Sequence, residues 1–234
     1  MKRIMVIIIS ALAIITLVTG YYAFRYFRSP LTRSQRVLAW LRDPDSHSDW
    51  AITANERCTT APFTLPTDGY IGYLWGDRLS INHKHQGIDI FAGTSSGETP
   101  VYSVYDGFLT RQSDWKSSVI IRIPDDPLST GRQIWVYYTH MADENGRSYI
   151  SDTFPPGTSE LFVPAGTLLG NQGNYSGDPG NPTGVHLHLS IVMSDATGLY
   201  KNELNVANTL DPSLYFLLPL NSQENPGAIP TCIG

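Results

Sequence analysis

At 234 residues, with 41% hydrophobic and 16% charged side chains, the chain has material for one sizeable domain plus accessories. The first 36 residues hold six of the 16 basic residues and no acid, which leaves ten basic against 21 acidic residues from position 37 onward. A region so acidic gains nothing from polyanion steering, which disfavours nucleic acid as a partner.

The first predicted element runs from residue 4 to about residue 23. Its polar groups are the hydroxyls of Ser10, Thr16 and Thr19 and the paired Tyr21 and Tyr22 at its end. That length suffices to cross a bilayer as a helix. Lys2 and Arg3 precede it, and Tyr21, Tyr22, Phe24, Arg25, Tyr26 and Arg28 form an aromatic and basic belt at its far end. Residues 1–28 therefore read as a transmembrane anchor, with a cleaved signal segment as the alternative because Val18-Thr19-Gly20 resembles a cleavage site. Loop charge does not orient the span, since more basic residues follow it than precede it.

Residues 29–57 read as a short helix and linker. Thr32-Arg33-Ser34-Gln35 has capping-box form, and Val37, Leu38 and Leu41 recur at helical spacing. Asp43-Pro44-Asp45 closes that helix, and the polar residues 44–57 read as a spacer. Residues 58–234 change to short β-rich runs punctuated by Gly, Pro and Asp. Strands are predicted at 87–91, 101–104, 107–111, 119–123, 134–140, 167–169 and 185–192. No long amphipathic helix interrupts them. The fold class is therefore all-β, an antiparallel folded sheet or barrel-like sandwich. Cys58 and Cys232 stand at the two ends of this domain, in no Cys-x-x-Cys pattern. Outside the cytosol a bond between them would tie those ends together; two unpaired buried thiols are the alternative.

Three histidine motifs lie inside the β domain. His85-Gln86-Gly87-Ile88-Asp89 carries an imidazole and a carboxylate four residues apart. On a strand, positions 85, 87 and 89 share a face, and Gly87 leaves the space between His85 and Asp89 open. His140 ends the run Ile134-Trp135-Val136-Tyr137-Tyr138-Thr139-His140. Gly184-Val185-His186-Leu187-His188-Leu189 then places His186 and His188 on one face. Nitrogen and oxygen donors so arranged suit Zn²⁺.

Taken in order, these motifs resemble the lysostaphin-like (LytM-type) zinc endopeptidases that cut peptidoglycan cross-links. The resemblance covers about residues 60–195 and extends to Thr99-Pro100-Val101-Tyr102-Ser103-Val104-Tyr105-Asp106-Gly107 and to Val163-Pro164-Ala165-Gly166-Thr167-Leu168-Leu169-Gly170-Asn171-Gln172-Gly173. It implies His85, Asp89 and His188 as zinc ligands, with water in the remaining position. It implies His140 and His186 as catalytic histidines beside that water and the developing oxyanion, without saying which does which. The loops would wall a groove for a peptidoglycan peptide, residues 170–184 forming one wall. A wall-cutting domain must lie outside the cytoplasmic membrane, held by the N-terminal helix or secreted if that helix is cleaved.

Other residues read as bystanders. His83 departs from the motif spacing, and His47 sits in the spacer. Tyr138 lines the groove or packs in the sheet, and Trp75-Gly76-Asp77-Arg78 carries a structural role only. The stretch from His140 to Val163 is longer than the family pattern and reads as an enlarged loop at one end of the groove, which leaves the bond preference open. The alternatives are a non-enzymatic member that binds wall or activates an amidase, and a peptidase of another extracellular protein.

Overall fold

The structure, a computed structural model, describes Ile15 and residues 32–80 and 83–232. The chain divides into two compact units, Met1–Thr32 and Arg33–Gly234, and the elements named below belong to the second. The predicted span at 4–23 lies outside the described residues, Ile15 apart. Among the described residues no helix is long and apolar enough to cross a membrane.

Helix α1 (Arg33–Arg42) leads in, followed by a 3-10 turn at Asp45–Trp50. The strands are β1 (Ala51–Ile52), β2 (Gly69–Tyr73), β3 (Arg78–Ser80), β4 (His83–Lys84), β5 (Ile88–Phe91), β6 (Pro100–Tyr102) and β7 (Gly107–Thr110). They continue as β8 (Val119–Ile123), β9 (Ile134–Thr139), β10 (Leu161–Val163), β11 (Leu168–Asn171), β12 (Leu187–Met193) and β13 (Thr209–Leu210), before a one-turn α2 (Ser213–Phe216). Nine strands form one antiparallel sheet in the order β1-β2-β5-β12-β9-β8-β7-β10, with β13 against β12; β6 pairs with β11 and β3 with β4. The all-β, antiparallel expectation holds. Among the described residues β1 and β10 each pair on one side, so the main sheet does not close into a barrel.

Strand alternation explains how the sheet divides its two faces. On β9, Ile134, Val136 and Tyr138 join the main core with Leu187, Leu189 and Ile191 of β12 and Ile88 and Ile90 of β5. Val101, Leu169 and Phe63 pack over that face. The opposite side chains of the same three strands include Thr139, His188 and Asp89. This second face carries Val37, Trp40, Tyr70 and Phe91 in one apolar cluster and Ile120, Trp135 and Val192 in another. Tyr138 is thus a core residue, with its hydroxyl accepting from Val104 N–H at 3.0 Å. It does not line the groove.

Two expectations about the lead-in change. Helix α1 buries Arg36, Val37 and Trp40, leaving Leu38 and Leu41 exposed, because Trp40 and Val37 share the stripe that faces Tyr70. The polar spacer contains the 3-10 turn and an edge strand: β1 pairs with β2, and His47 stacks on Trp50 with ring centroids 4.0 Å apart. Cys58 and Cys232 are joined, with Cα atoms 5.1 Å apart across 174 residues of sequence.

Candidate metal centre

Register assembles the site. Antiparallel pairing sets His188 of β12 opposite Asp89 of β5 on one side and opposite Thr139 of β9 on the other. These three residues therefore form one row across the sheet on the face away from the main core. Gly87 is what lets β5 and β12 close up. A Cβ there would lie 2.0 Å from Leu189 O, so the glycine serves the approach of two backbones and not the gap between His85 and Asp89.

His85 lies between β4 and β5, not on a strand, and a turn grips its backbone. Its N–H donates to Asp77 O at 2.8 Å and its carbonyl accepts from Gly76 N–H at 2.8 Å. The Trp75-Gly76-Asp77-Arg78 segment thus fixes a member of the site. His140 departs from the strand as well, with φ of 72°. A non-glycine residue in the left-handed region is strained. Here the turn takes His140 out of strand alternation, onto the face of Thr139. Gly173 lies against that bend: a Cβ on it would meet Ala142 O at 2.1 Å and His140 O at 2.5 Å.

The five sequence-predicted residues converge. His85 Nε2, Asp89 Oδ1 and His188 Nδ1 lie 2.8–3.0 Å from one another. His186 Nε2 is 3.7 Å from the same Asp89 oxygen, and the His140 and His186 rings are 4.4 Å apart. They line a groove of about 460 Å³, with Tyr175, Ser176, Gly177 and Thr183 contributing the Gly-rich wall expected at 170–184. The longer stretch after His140 lines none of it. That stretch buries Phe154 and Ile150 in the core and is held by Arg111, which donates to Phe154 O and Ser148 Oγ. His83 lines the groove mouth outside the donor trio.

Outer hydrogen bonds set the tautomers. His85 Nδ1 faces Leu74 O at 3.0 Å, His140 Nδ1 faces Tyr175 O at 2.6 Å, and His186 Nδ1 faces Gly184 O at 2.7 Å. A carbonyl only accepts, so each Nδ1 carries the proton and each Nε2 turns a lone pair inward. His188 is reversed: Nε2 faces Glu203 Oε1 at 2.9 Å and Nδ1 faces inward. Glu203 lies outside all three motifs, and nothing in its local sequence marks it.

Electrostatics follow from this crowding. Burial, then the neighbouring His186, lowers His140 to about 3, and burial lowers His186 as well, so both are neutral near pH 7. Burial opposes charge on Asp89, yet the surrounding histidines hold it well below the usual carboxylate range. Burial also opposes charge on His188, but its bonds to Asp89 and Glu203 prevail and raise it to about 10. With neutral rings, two nitrogen lone pairs and a carboxylate oxygen would face one another within hydrogen-bonding distance. They repel unless a proton or cation lies among them. Two imidazoles and a carboxylate, buried and already oriented, fit the donor preferences of zinc.

No family model and no curated protein matches the chain. Among solved structures it is similar to a candidate M23 peptidase from Pseudomonas aeruginosa, at 19% identity over 81% of this chain and 63% of that one, with a TM-score of 0.38. It is similar to the antimicrobial peptidase lysostaphin from Staphylococcus simulans, at 16% identity over 71% and 55%, with a TM-score of 0.40. It is also similar to the catalytic domain of the prophage-encoded M23 protein EnpA from Enterococcus faecalis, at 21% identity over 64% and 94%, with a TM-score of 0.35. The chain thus spans less than two thirds of the first two proteins.

Proposed function

We propose that this chain is a zinc-dependent endopeptidase that hydrolyses peptide cross-links of peptidoglycan outside the cytoplasmic membrane, held there by its N-terminal segment. The observation that carries this reading is the convergence of His85, Asp89 and His188 beside two further histidines in one groove. A purely structural cluster has no need of His140 and His186 with unprotonated nitrogens facing the same space. The substrate class rests on the motif resemblance.

His85 through Nε2, Asp89 through Oδ1 and His188 through Nδ1 would hold the ion. When bound, zinc supplies Lewis acidity to a carbonyl and acidity to water. His140 and His186 each offer Nε2 as an acceptor for a proton from water in the groove. Their lowered basicity makes the resulting imidazolium more acidic than a free one, suited to passing that proton to a leaving amine. Neither ring has a proton at Nε2 to give an oxyanion until it has taken one. In this reading each ring takes a proton before it gives one.

A non-enzymatic wall binder would keep this fold without turnover. Two measurements separate the readings: zinc content of the purified chain, and mass spectrometry of the new termini after digestion of defined muropeptides. One zinc per chain with new peptide termini is expected; bound muropeptide with no new termini would favour the binder.

A further inference from the structure

The ring of His188 has an acceptor at each edge. Nδ1 lies 2.8 Å from Asp89 Oδ1, and Nε2 lies 2.9 Å from Glu203 Oε1. The ring itself separates Glu203 from the donor trio, so this carboxylate does not join His85 and Asp89 as a further ligand.

Glu203 is held as a built part of the site. Its side chain is only 15% exposed, and Oε1 also accepts from Ser190 Oγ at 3.3 Å. The backbone beside it is fixed from two directions. Gln86 Nε2 donates to Leu204 O at 2.9 Å, and Asn208 Nδ2 donates to Asn202 O at 2.8 Å. Gln86 adjoins His85, so the motif that supplies two members of the trio also locks the loop that orients the third. Ser190 lies two residues after His188 on the same face of β12 and ties Glu203 back to that strand.

We infer that Glu203 is a positioning residue for His188, taking its Nε2–H so that the Nδ1 lone pair points at Asp89 and His85, and strengthening that nitrogen as a donor by its negative charge. The inference rests on His188 as a zinc ligand. Outer carboxylates of this kind fix ring orientation and raise ligand basicity, and their loss weakens metal binding by about 10–100-fold.

The test uses the full chain, Glu203→Ala and Glu203→Gln, with melting of the metal-free protein as the check on folding. Zinc affinity is measured by chelator competition, and the His188 Nε2–H by NMR of ¹⁵N-histidine-labelled protein with and without zinc. Expected are a slowly exchanging Nε2–H in the wild type and its loss in Glu203→Ala. That variant should also lose about 10–100-fold in zinc affinity. Glu203→Gln keeps an acceptor and drops the charge, so it should retain the proton signal with a smaller loss of affinity. If the alanine variant does not fold, the glutamine variant against wild type carries the comparison. Wild-type affinity and signal in the variants overturn the inference while leaving the proposed function standing. Full zinc affinity with lost turnover also overturns it, assigning Glu203 to the reaction. A wild-type chain that binds no zinc removes the proposed function, and this inference with it.

Discussion

At the scale of single residues, the site separates histidines that would hold a cation from those that would move a proton. His188→Ala is expected to lose zinc, since it removes a member of the trio. His140→Ala and His186→Ala should keep near-normal zinc and lose about 10²–10⁴-fold in turnover, the usual worth of acid–base help. His83→Ala should change little, because it lies outside the trio. Zinc content and turnover on all four variants check the assignment. A second prediction concerns acid stability. His140 is lowered to about 3 by burial and by His186, while an unfolded histidine titrates near 6.5. Between those values the unfolded chain binds a proton that the folded chain refuses, so stability of the metal-free protein falls as pH drops through this window. One such group contributes at most about 1.4 kcal/mol per pH unit. His188 adds no slope there, because its raised value leaves it protonated in both states below 6.5. Denaturant melts at pH 4–7 should show a shallower loss in His140→Ala than in wild type.

At the scale of elements, helix α1 braces the site and is not a passive lead. Trp40 Nε1–H donates to Phe91 O at 2.7 Å, and the Phe91 ring stacks on His186 with centroids 5.0 Å apart. Arg33 Nε reaches Asp77 Oδ1 at 3.0 Å, while Asp77 Oδ2 accepts from Leu74 N–H and its carbonyl accepts from His85 N–H. A chain of hydrogen bonds therefore joins α1 to His85 through the Leu74–Asp77 turn. Trp40→Ala should cost about 3–5 kcal/mol in urea denaturation, the range for emptying a buried aromatic site, and should lower turnover in the variant that remains folded. The junction of β5 and β12 is the other sensitive element. Gly87→Ala would drive a methyl into Leu189 O, so it should part the two strands and weaken zinc binding as measured by chelator competition. Wild-type zinc affinity in Gly87→Ala would mean that the Asp89–His188 register does not control the site.

Across the whole molecule, the Cys58–Cys232 bond closes nearly all of the β domain into one loop. On the chain-entropy model such a loop contributes roughly 5 kcal/mol before any native strain is subtracted. The paired change Cys58→Ser with Cys232→Ser should lower the denaturation midpoint markedly while leaving one zinc per folded chain, since the bond lies in the core and not in the groove. The proposed location makes a separate demand: fractionation of cells producing the chain should place the β domain with the membrane, accessible to protease from outside.

The fold class and the candidate donor residues were legible along the chain. His-x-Gly-x-Asp and His-x-His are local patterns, and strand alternation alone sends His186 and His188 to one side. The β-rich runs at 119–123 and 134–140 read clearly because β-branched and aromatic residues crowd them. Short edge strands such as β1, β10 and β13 did not read, since two or three residues make no period. The burial of Trp40 in place of Leu38 likewise depended on which surface the helix met. Why Gly87 is a glycine depends on packing, because the atom it accommodates belongs to β12, about a hundred residues away. The position of His140 required a left-handed φ that no strand pattern anticipates. Glu203 joined the site from a loop with no motif of its own, through a carboxylate that meets His188 only after β12 has paired and the chain has turned back. Side-chain types and their spacing are written along the chain, whereas the partner of a buried nitrogen is chosen by whichever segment folds across it.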